Sequence, residues 1–314
     1  MKMFDAVVIG DANIDLVVVG CSEVPSPGQE VYVDKMMMHV GGGAALFAIS
    51  LAKLGVQVAF NGVLGNDSHG QYIRQRFAEY GIDTRMIGTS DTEQTGISIA
   101  FNPDSDRSFI TYAGTNAELR VEKLNLSEIA QGRHVHVTGY KGRRNHEQYV
   151  ALAKGLKEKG LTLSCDVGWD ESGEWDKSVF ELMSYFDVFL MNETEALHYT
   201  RMDNVEESIK LMGSLARNIV VKLGGEGAIS MKEGILTRLP AYTVEAVDTT
   251  GAGDSFNAGY LYGFLQGLDA AECLRYGNAC GAMSVSAFGG STGTPDLAGL
   301  KAFIEGYEQK QAVQ

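Results

Sequence analysis

No two of the four cysteines (Cys21, Cys165, Cys273 and Cys280) stand in a CxxC pair or beside histidines at metal-ligand spacing. That pattern excludes a disulfide scaffold and leaves buried or free thiols, as expected of a reducing cytoplasm. No apolar stretch approaches the roughly 20 residues that a membrane helix needs. The apolar opening Ala6 to Ile9 is too short for a secretory signal, and Asp11 and Asp15 follow it at once. Positive charge is scarce: 26 Lys and Arg face 40 Asp and Glu, a net charge of −14. Such a field repels nucleic acid and anionic membrane, so an anionic ligand needs a locally positive site. The chain also lacks an internal repeat, a low-complexity tract or a Pro-rich linker, and one domain over 1–314 is expected.

What is present is an alternation. The apolar share is 45% and the charged share 21%, ordinary for a soluble globular protein. "FDAVVIG" reads as a buried strand, "AALFAISLAKLG" as a helix closed by Gly55, and "VQVAFNGVLG" as the next strand. Asp67 then caps "SHGQYIRQRFAEYG". "RHVHVTGY", "LTLSCDVG", "FDVFLMN" and "RNIVVKLGG" are further strands, separated by helical segments at 146–159, 193–199 and 205–216. Strands and helices alternating in this way predict an α/β fold of three layers, α/β/α, with a mostly parallel central sheet. Ligands then bind at the carboxyl ends of the strands. Residues 15–40 and 95–114 break the rhythm with strand-like alternation around Pro/Gly or Asn-Pro-Asp turns, and predict antiparallel ribbons suited to a small β lid. From residue 254 the chain reads as helical to about 287, then Gly-rich, then helical again.

The stretch "DTTGAGDSFNAG" (248–259) joins the strand pattern "YTVEAVDTT" to a helix pattern. A glycine turn feeding a helix N-terminus exposes backbone N–H groups whose dipole attracts anions. Gly251 and Gly253 permit close approach of a phosphate, and Asp254 points into the same space. The same pattern also fits a helix cap, and locally the two readings stand level. "NETE" (192–195) reads locally as a capping box from Asn192 to Glu195. "GDANID" (10–15) ends the first strand at the ligand edge, where Asp15 would accept two hydrogen bonds from vicinal hydroxyls or open a turn. "YKGRRNH" (140–146) gathers Lys141, Arg143 and Arg144 at the same edge, as a contact for an acidic or phosphorylated sugar or as a solvated face.

Taken together and in order, "GGGAA" (41–45), "NETE" and "DTTGAGD" resemble the ribokinase-like sugar kinases, the ribokinase/phosphofructokinase-B family. The resemblance spans nearly the whole chain and implies an ATP-dependent kinase for a sugar hydroxyl. It implies Asp254 as catalytic base, with Gly251, Ala252 and Gly253 as the anion hole. It implies that Asn192 and Glu195 organise Mg²⁺ and the phosphates, largely through water. Lys222, Gly224 and Gly227 in "VVKLGGEGA" fall where the family binds nucleotide, and Asn278 where it lines the adenine pocket. Asp248, Thr250 and the loop 287–293 fall where many members bind K⁺. For the sugar, the resemblance implies Asn13, Asp15, Gly42, Gly43 and Asn116. A homodimer through the exposed edges of the lid ribbons is a further expectation.

Two positions depart from the family pattern. Leu46 stands where an asparagine usually touches the sugar, and "DVGWDESGEW" after Asp166 lacks the arginine of the keto-acid sugar kinases. Ribose and 2-keto-3-deoxygluconate are therefore not favoured as acceptors. A nucleoside kinase would stack its base on lid aromatics such as Tyr32, Phe109 or Tyr112, and a non-catalytic sugar sensor would keep the fold without turnover. A dinucleotide oxidoreductase is disfavoured by Leu46 at the sixth position of "GGGAAL" and by a first strand without a glycine fingerprint.

Overall fold

The computed structural model describes residues 2–21, 26–101 and 108–313. Fourteen strands are present among these residues: β1 (Phe4–Ile9), β2 (Asn13–Val19), β3 (Lys35–Gly41), β4 (Val58–Asn61), β5 (Val63–Gly65), β6 (Gly88–Ser90), β7 (Gly96–Phe101), β8 (Ser108–Tyr112), β9 (Gly132–Val137), β10 (Thr162–Asp166), β11 (Val188–Asn192), β12 (Asn218–Lys222), β13 (Ala228–Lys232) and β14 (Ile235–Leu239). Eight form one sheet in the order β14-β13-β12-β11-β10-β9-β1-β4. The six from β12 to β4 run parallel, while β13 and β14 close one edge as an antiparallel pair.

These strands are apolar at successive residues because helices cover both sheet faces. Val7, Ile9, Val135, Leu163 and Phe189 face one core, which the helices His146–Glu158 and Val205–Gly213 also enter. Ala6, Val8, Val58 and Phe60 face the other, against Gly43–Lys53 and Ala252–Leu265. β9 places His134 and His136 on that second face, and both are fully buried. Hydroxyls partner three of the four ring nitrogens: Thr162 Oγ1 lies 2.8 Å from His134 Nδ1, and Ser164 Oγ lies 2.7 Å from His134 Nε2 and 2.8 Å from His136 Nδ1. Among the described residues His136 Nε2 has no partner, and the ring stacks on Phe47 at 3.8 Å. Burial holds both rings neutral and pushes His136 down to about 3.

The two ribbons expected at 15–40 and 95–114 appear as β2–β3 and β7–β8. Parallel pairing of β2 with β7, with Asp15 opposite Ser98, joins them into one four-stranded sheet. The Asn102-Pro103-Asp104 turn lies outside the described residues, as does Pro25.

Three expectations need correction. "VQVAFNGVLG" is two strands: the chain leaves the main sheet at Gly62, and β5 pairs with β6 instead. "YTVEAVDTT" is not a strand. Its N–H groups go elsewhere, Val247 and Asp248 donating to Val285 O and Thr243 to Tyr307 Oη. Its alternation serves docking on the C-terminal helix, with Tyr242 edge-on to Phe303 and Tyr307. The helical run after 254 is two helices, Ala252–Leu265 and Ala270–Ser284, broken at the left-handed Gly267 and restarted by the Asp269 cap.

Candidate active site

The carboxyl ends of β1, β9, β10, β11 and β12 and two helix N-termini meet at one place. The helix Ala252–Leu265 starts from Gly251 at φ +68°, and a Cβ there would lie 2.5 Å from the Gly290 carbonyl oxygen. Only glycine makes this turn. The helix Gly43–Lys53 starts from Gly42 at φ +93°, where a Cβ would lie 2.8 Å from Asp11 O. Asp254 sits in the first turn of the former, and its Oδ1 lies 3.3 Å from the position a Gly43 Cβ would take. Two helix N-termini therefore converge on one carboxylate.

Asp11 completes this corner, and sequence reading had not singled it out. Its carboxylate accepts from Gly43 N (2.9 Å), Ala44 N (3.2 Å) and Thr138 Oγ1 (3.2 Å), capping a helix that begins 32 residues later. The available signal was an acid immediately after Gly10, at the strand end where ligands bind.

A buried ion pair holds the other side. Lys222 Nζ, at the end of β12, donates to Asp166 Oδ2 at the end of β10 over 2.8 Å. Asn257 Nδ2 donates to the same oxygen, and among the described residues its own buried Oδ1 has no donor. Burial opposes the charge on Lys222, but Asp166 and Glu195 outweigh it and raise its pKa. Burial likewise opposes ionisation of Asp166, and Lys222 holds it below the usual range. A Cβ on Gly253 would lie 3.3 Å from Lys222 Nζ, so the ammonium borders the glycine turn. Burial, then Asp166, push Asp254 up to about 8 against the pull of Lys222. Glu195 is raised to about 7 by burial and Asp166. Asn192 and Glu195 form the reciprocal capping box, each bond 2.8 Å.

Two cavities flank this junction. The larger, about 780 Å³, has Asp11, Gly43, Asn116, Asp166, Glu195, Lys222 and Asp254 in its wall. The smaller, about 430 Å³, is lined by Lys222, Gly224, Gly227, Ala252, Gly253 and Asn278. Lys222 belongs to both. Gly227, at φ +97°, lets the chain at Leu239 and Pro240 pass where a Cβ would lie 2.1 Å from Leu239 O. Asn278 Nδ2 donates to the carbonyls of those two residues. Asn116 accepts from Ala12 N at 3.1 Å, fixing the base of β2.

Some expected residues stand outside both walls. Asn13 Nδ2 donates to Asp15 Oδ1 at 2.9 Å, and the Asp15 carboxylate lies over Gly41, where a Cβ would be 2.1 Å away. The charge of Asp15 adds to the upward pressure on Asp254. Gly42, Asn192 and Gly251 shape the backbone without lining either cavity. Asp248 accepts from Thr250 N and Gly289 N, both at 2.8 Å, tying two loops together. Leu46 is a core residue packed under Gly290, where a Cβ would lie 2.7 Å from its Cδ1. Tyr32, Phe109 and Tyr112 are exposed and line neither cavity, whereas Trp169, which sequence reading passed over, does. Arg143 pairs with Asp176 at 2.5 Å, and Lys141 and Arg144 face the larger cavity.

Among the described residues no helix is long and apolar enough to cross a membrane, and all four cysteines are buried.

Comparison with known proteins gives this geometry a context. The chain is 29% identical over 309 residues to a ribokinase of Lactococcus lactis, covering 96% of this chain and 97% of that protein. It is 29% identical over 320 residues to 5-dehydro-2-deoxygluconokinase of Bacillus subtilis, covering 97% of each. The Arabidopsis thaliana ribokinase solved with ribose and ATP superposes with a TM-score of 0.84 at 25% identity, over 96% of this chain and 99% of that one. The family model of the pfkB family carbohydrate kinases matches residues 3–297. The chain belongs to the pfkB family of carbohydrate kinases, phosphotransferases that act on sugar hydroxyls.

Proposed function

We propose that this kinase transfers the γ-phosphate of ATP to a hydroxyl of a sugar or sugar derivative, with Asp254 as general base. The carrying observation is the junction itself: Asp254 faces the larger cavity, Gly253 the smaller, and Lys222 both. ATP would occupy the smaller cavity between the 224–227 turn and Asn278, with its phosphates directed at the Ala252–Leu265 N-terminus. The acceptor would lie in the larger one, held by Asp11, Asn116 and the backbone at Gly43. Its hydroxyl proton passes to the Asp254 carboxylate as its oxygen attacks the γ-phosphorus in line, and ADP leaves. Negative charge then grows on the transferred oxygens, where the N–H groups after Gly251 and the Lys222 ammonium oppose it without reorganising.

Mg²⁺ would be held through Glu195 and Asn192, and when bound it neutralises charge on the β- and γ-phosphates. The loops that Asp248 ties together would offer carbonyls to K⁺; a rate that rises with K⁺ but not Na⁺ tests this. The sheet β3-β2-β7-β8 would serve as a lid that excludes water. Its exposed Met36, Phe109 and Ile110 would let two chains pair, which light scattering decides. The central test is ADP release with Mg-ATP over ketoses, aldoses, sugar acids, sugar phosphates and nucleosides. Turnover on one class, lost in Asp254→Asn, is expected; turnover undiminished in that variant would overturn the role of Asp254.

A further inference from the structure

The larger cavity is not uniform in charge. Its inner end holds Asp11, Asp166, Glu195 and Asp254, with Lys222 already committed to Asp166. A second part of the wall comes from the loop after β9 and carries Lys141 and Arg144. Among the described residues neither side chain has a carboxylate within 4 Å, while Arg143 between them is drawn off to Asp176. Arg120, Glu122, Asp170 and Glu171 line the same cavity. Of these acids Asp170 feels the charge of Arg144, and both its oxygens are engaged: Oδ1 by Ser172 N and Oγ, Oδ2 by Trp175 N. Two uncommitted cations on one cavity wall stand out in a chain of net charge −14, whose overall field would otherwise turn an anion away.

We propose that the acceptor carries an anionic group, carboxylate or phosphate, and that Lys141 and Arg144 hold it in the larger cavity. This rests on the kinase reading of the same cavity. The charge pattern orients such a molecule: the carboxylates around Asp254 repel its anionic end, and only a hydroxyl end is tolerated there. The guanidinium of Arg144 offers a planar fork for either oxyanion, and Lys141 adds a point charge beside it. At about 780 Å³ the cavity lies in the upper part of the range that holds ligands larger than a bare monosaccharide. Trp169, 59% exposed on the same wall, supplies a readout independent of turnover.

The test compares matched acceptors, a neutral hexose, its sugar acid and its sugar phosphate, in the native protein and in the double variant Lys141→Met/Arg144→Gln. One anionic acceptor is expected to show a KM at least tenfold below that of the neutral hexose. The double variant should raise that KM about 10- to 100-fold with kcat nearly unchanged, as for loss of charged hydrogen bonds. The neutral hexose, lacking the group concerned, should show no such rise, and Arg144→Lys should recover part of the loss. Which anion responds separates carboxylate from phosphate. Equal KM values for neutral and anionic acceptors, or a variant that affects both alike, would overturn the subsite and leave the kinase reading standing. If no acceptor releases ADP, Trp169 fluorescence is titrated with the sugar acid and the sugar phosphate. Binding lost in the double variant then supports the subsite while the kinase reading fails; no binding of either anion overturns the subsite.

Discussion

At Asp254 a carboxylate is buried and kept beside Asp166, Asp11 and Asp15, and the folded protein bears first its desolvation and then the repulsion. Its folded pKa of about 8 stands above the ordinary value of 3.8. Folding therefore favours the protonated form, and this residue's contribution to stability falls as pH rises from about 4 to about 8, then stays low. Asp254→Asn should accordingly melt higher than the native protein at pH 9, with the gap narrowing toward pH 4, while turnover falls on the order of 10²–10⁴-fold. Calorimetry across pH beside ADP release checks both halves; a variant that melts lower at pH 9 would contradict the electrostatic account. Since the base acts deprotonated, kcat/KM for the acceptor should rise with pH through about 8 and level off only above it. Lys222→Met tests the opposite charge. It leaves Asp166 buried without its cation, which costs about 3–5 kcal/mol in urea unfolding, and Asp166→Asn on top should recover part of this.

Among the elements, the helix starting at Gly251 is held by a close backbone approach. Ala at 251 would need φ near +68° and a shift of the Gly290 carbonyl, a strain of about 1–3 kcal/mol. The same shift would misdirect the N–H groups of the turn, so activity should drop more than stability does. Gly306, inside the helix Leu297–Val313, is the contrasting case, since a Cβ there meets nothing within 4 Å. Gly306→Ala should stabilise by about 0.5–1 kcal/mol, read as a shift in the unfolding midpoint. Elements were also where sequence reading was most variable. Caps such as Asp67 and Asn192 marked their helices correctly because these signals are local. "YTVEAVDTT" alternated as a strand does, yet its alternation reflects Tyr242 packing on a helix some 60 residues onward, and no local signal separates the two.

For the whole molecule, the two cavities and the four-stranded sheet predict an order to closure. Acceptor binding should slow amide exchange in β2, β3, β7 and β8, whereas ATP alone should protect the 224–227 turn and leave those strands open. Hydrogen exchange measured with each ligand separately decides this, and protection of the four strands by ATP alone would argue against the lid. What the sequence determined without help was the layered α/β architecture, from apolar strands alternating with amphipathic helices, and the glycine turn before Asp254, because only glycine tolerates that backbone. The tertiary structure alone decided that Asp11 caps a helix 32 residues away, that Lys222 pairs with Asp166 56 residues back, and that Lys141 and Arg144 share a wall with Asp254. Those relations depend on which strands lie side by side in the sheet, and a pairing between distant strand ends leaves no periodicity in the chain that forms it.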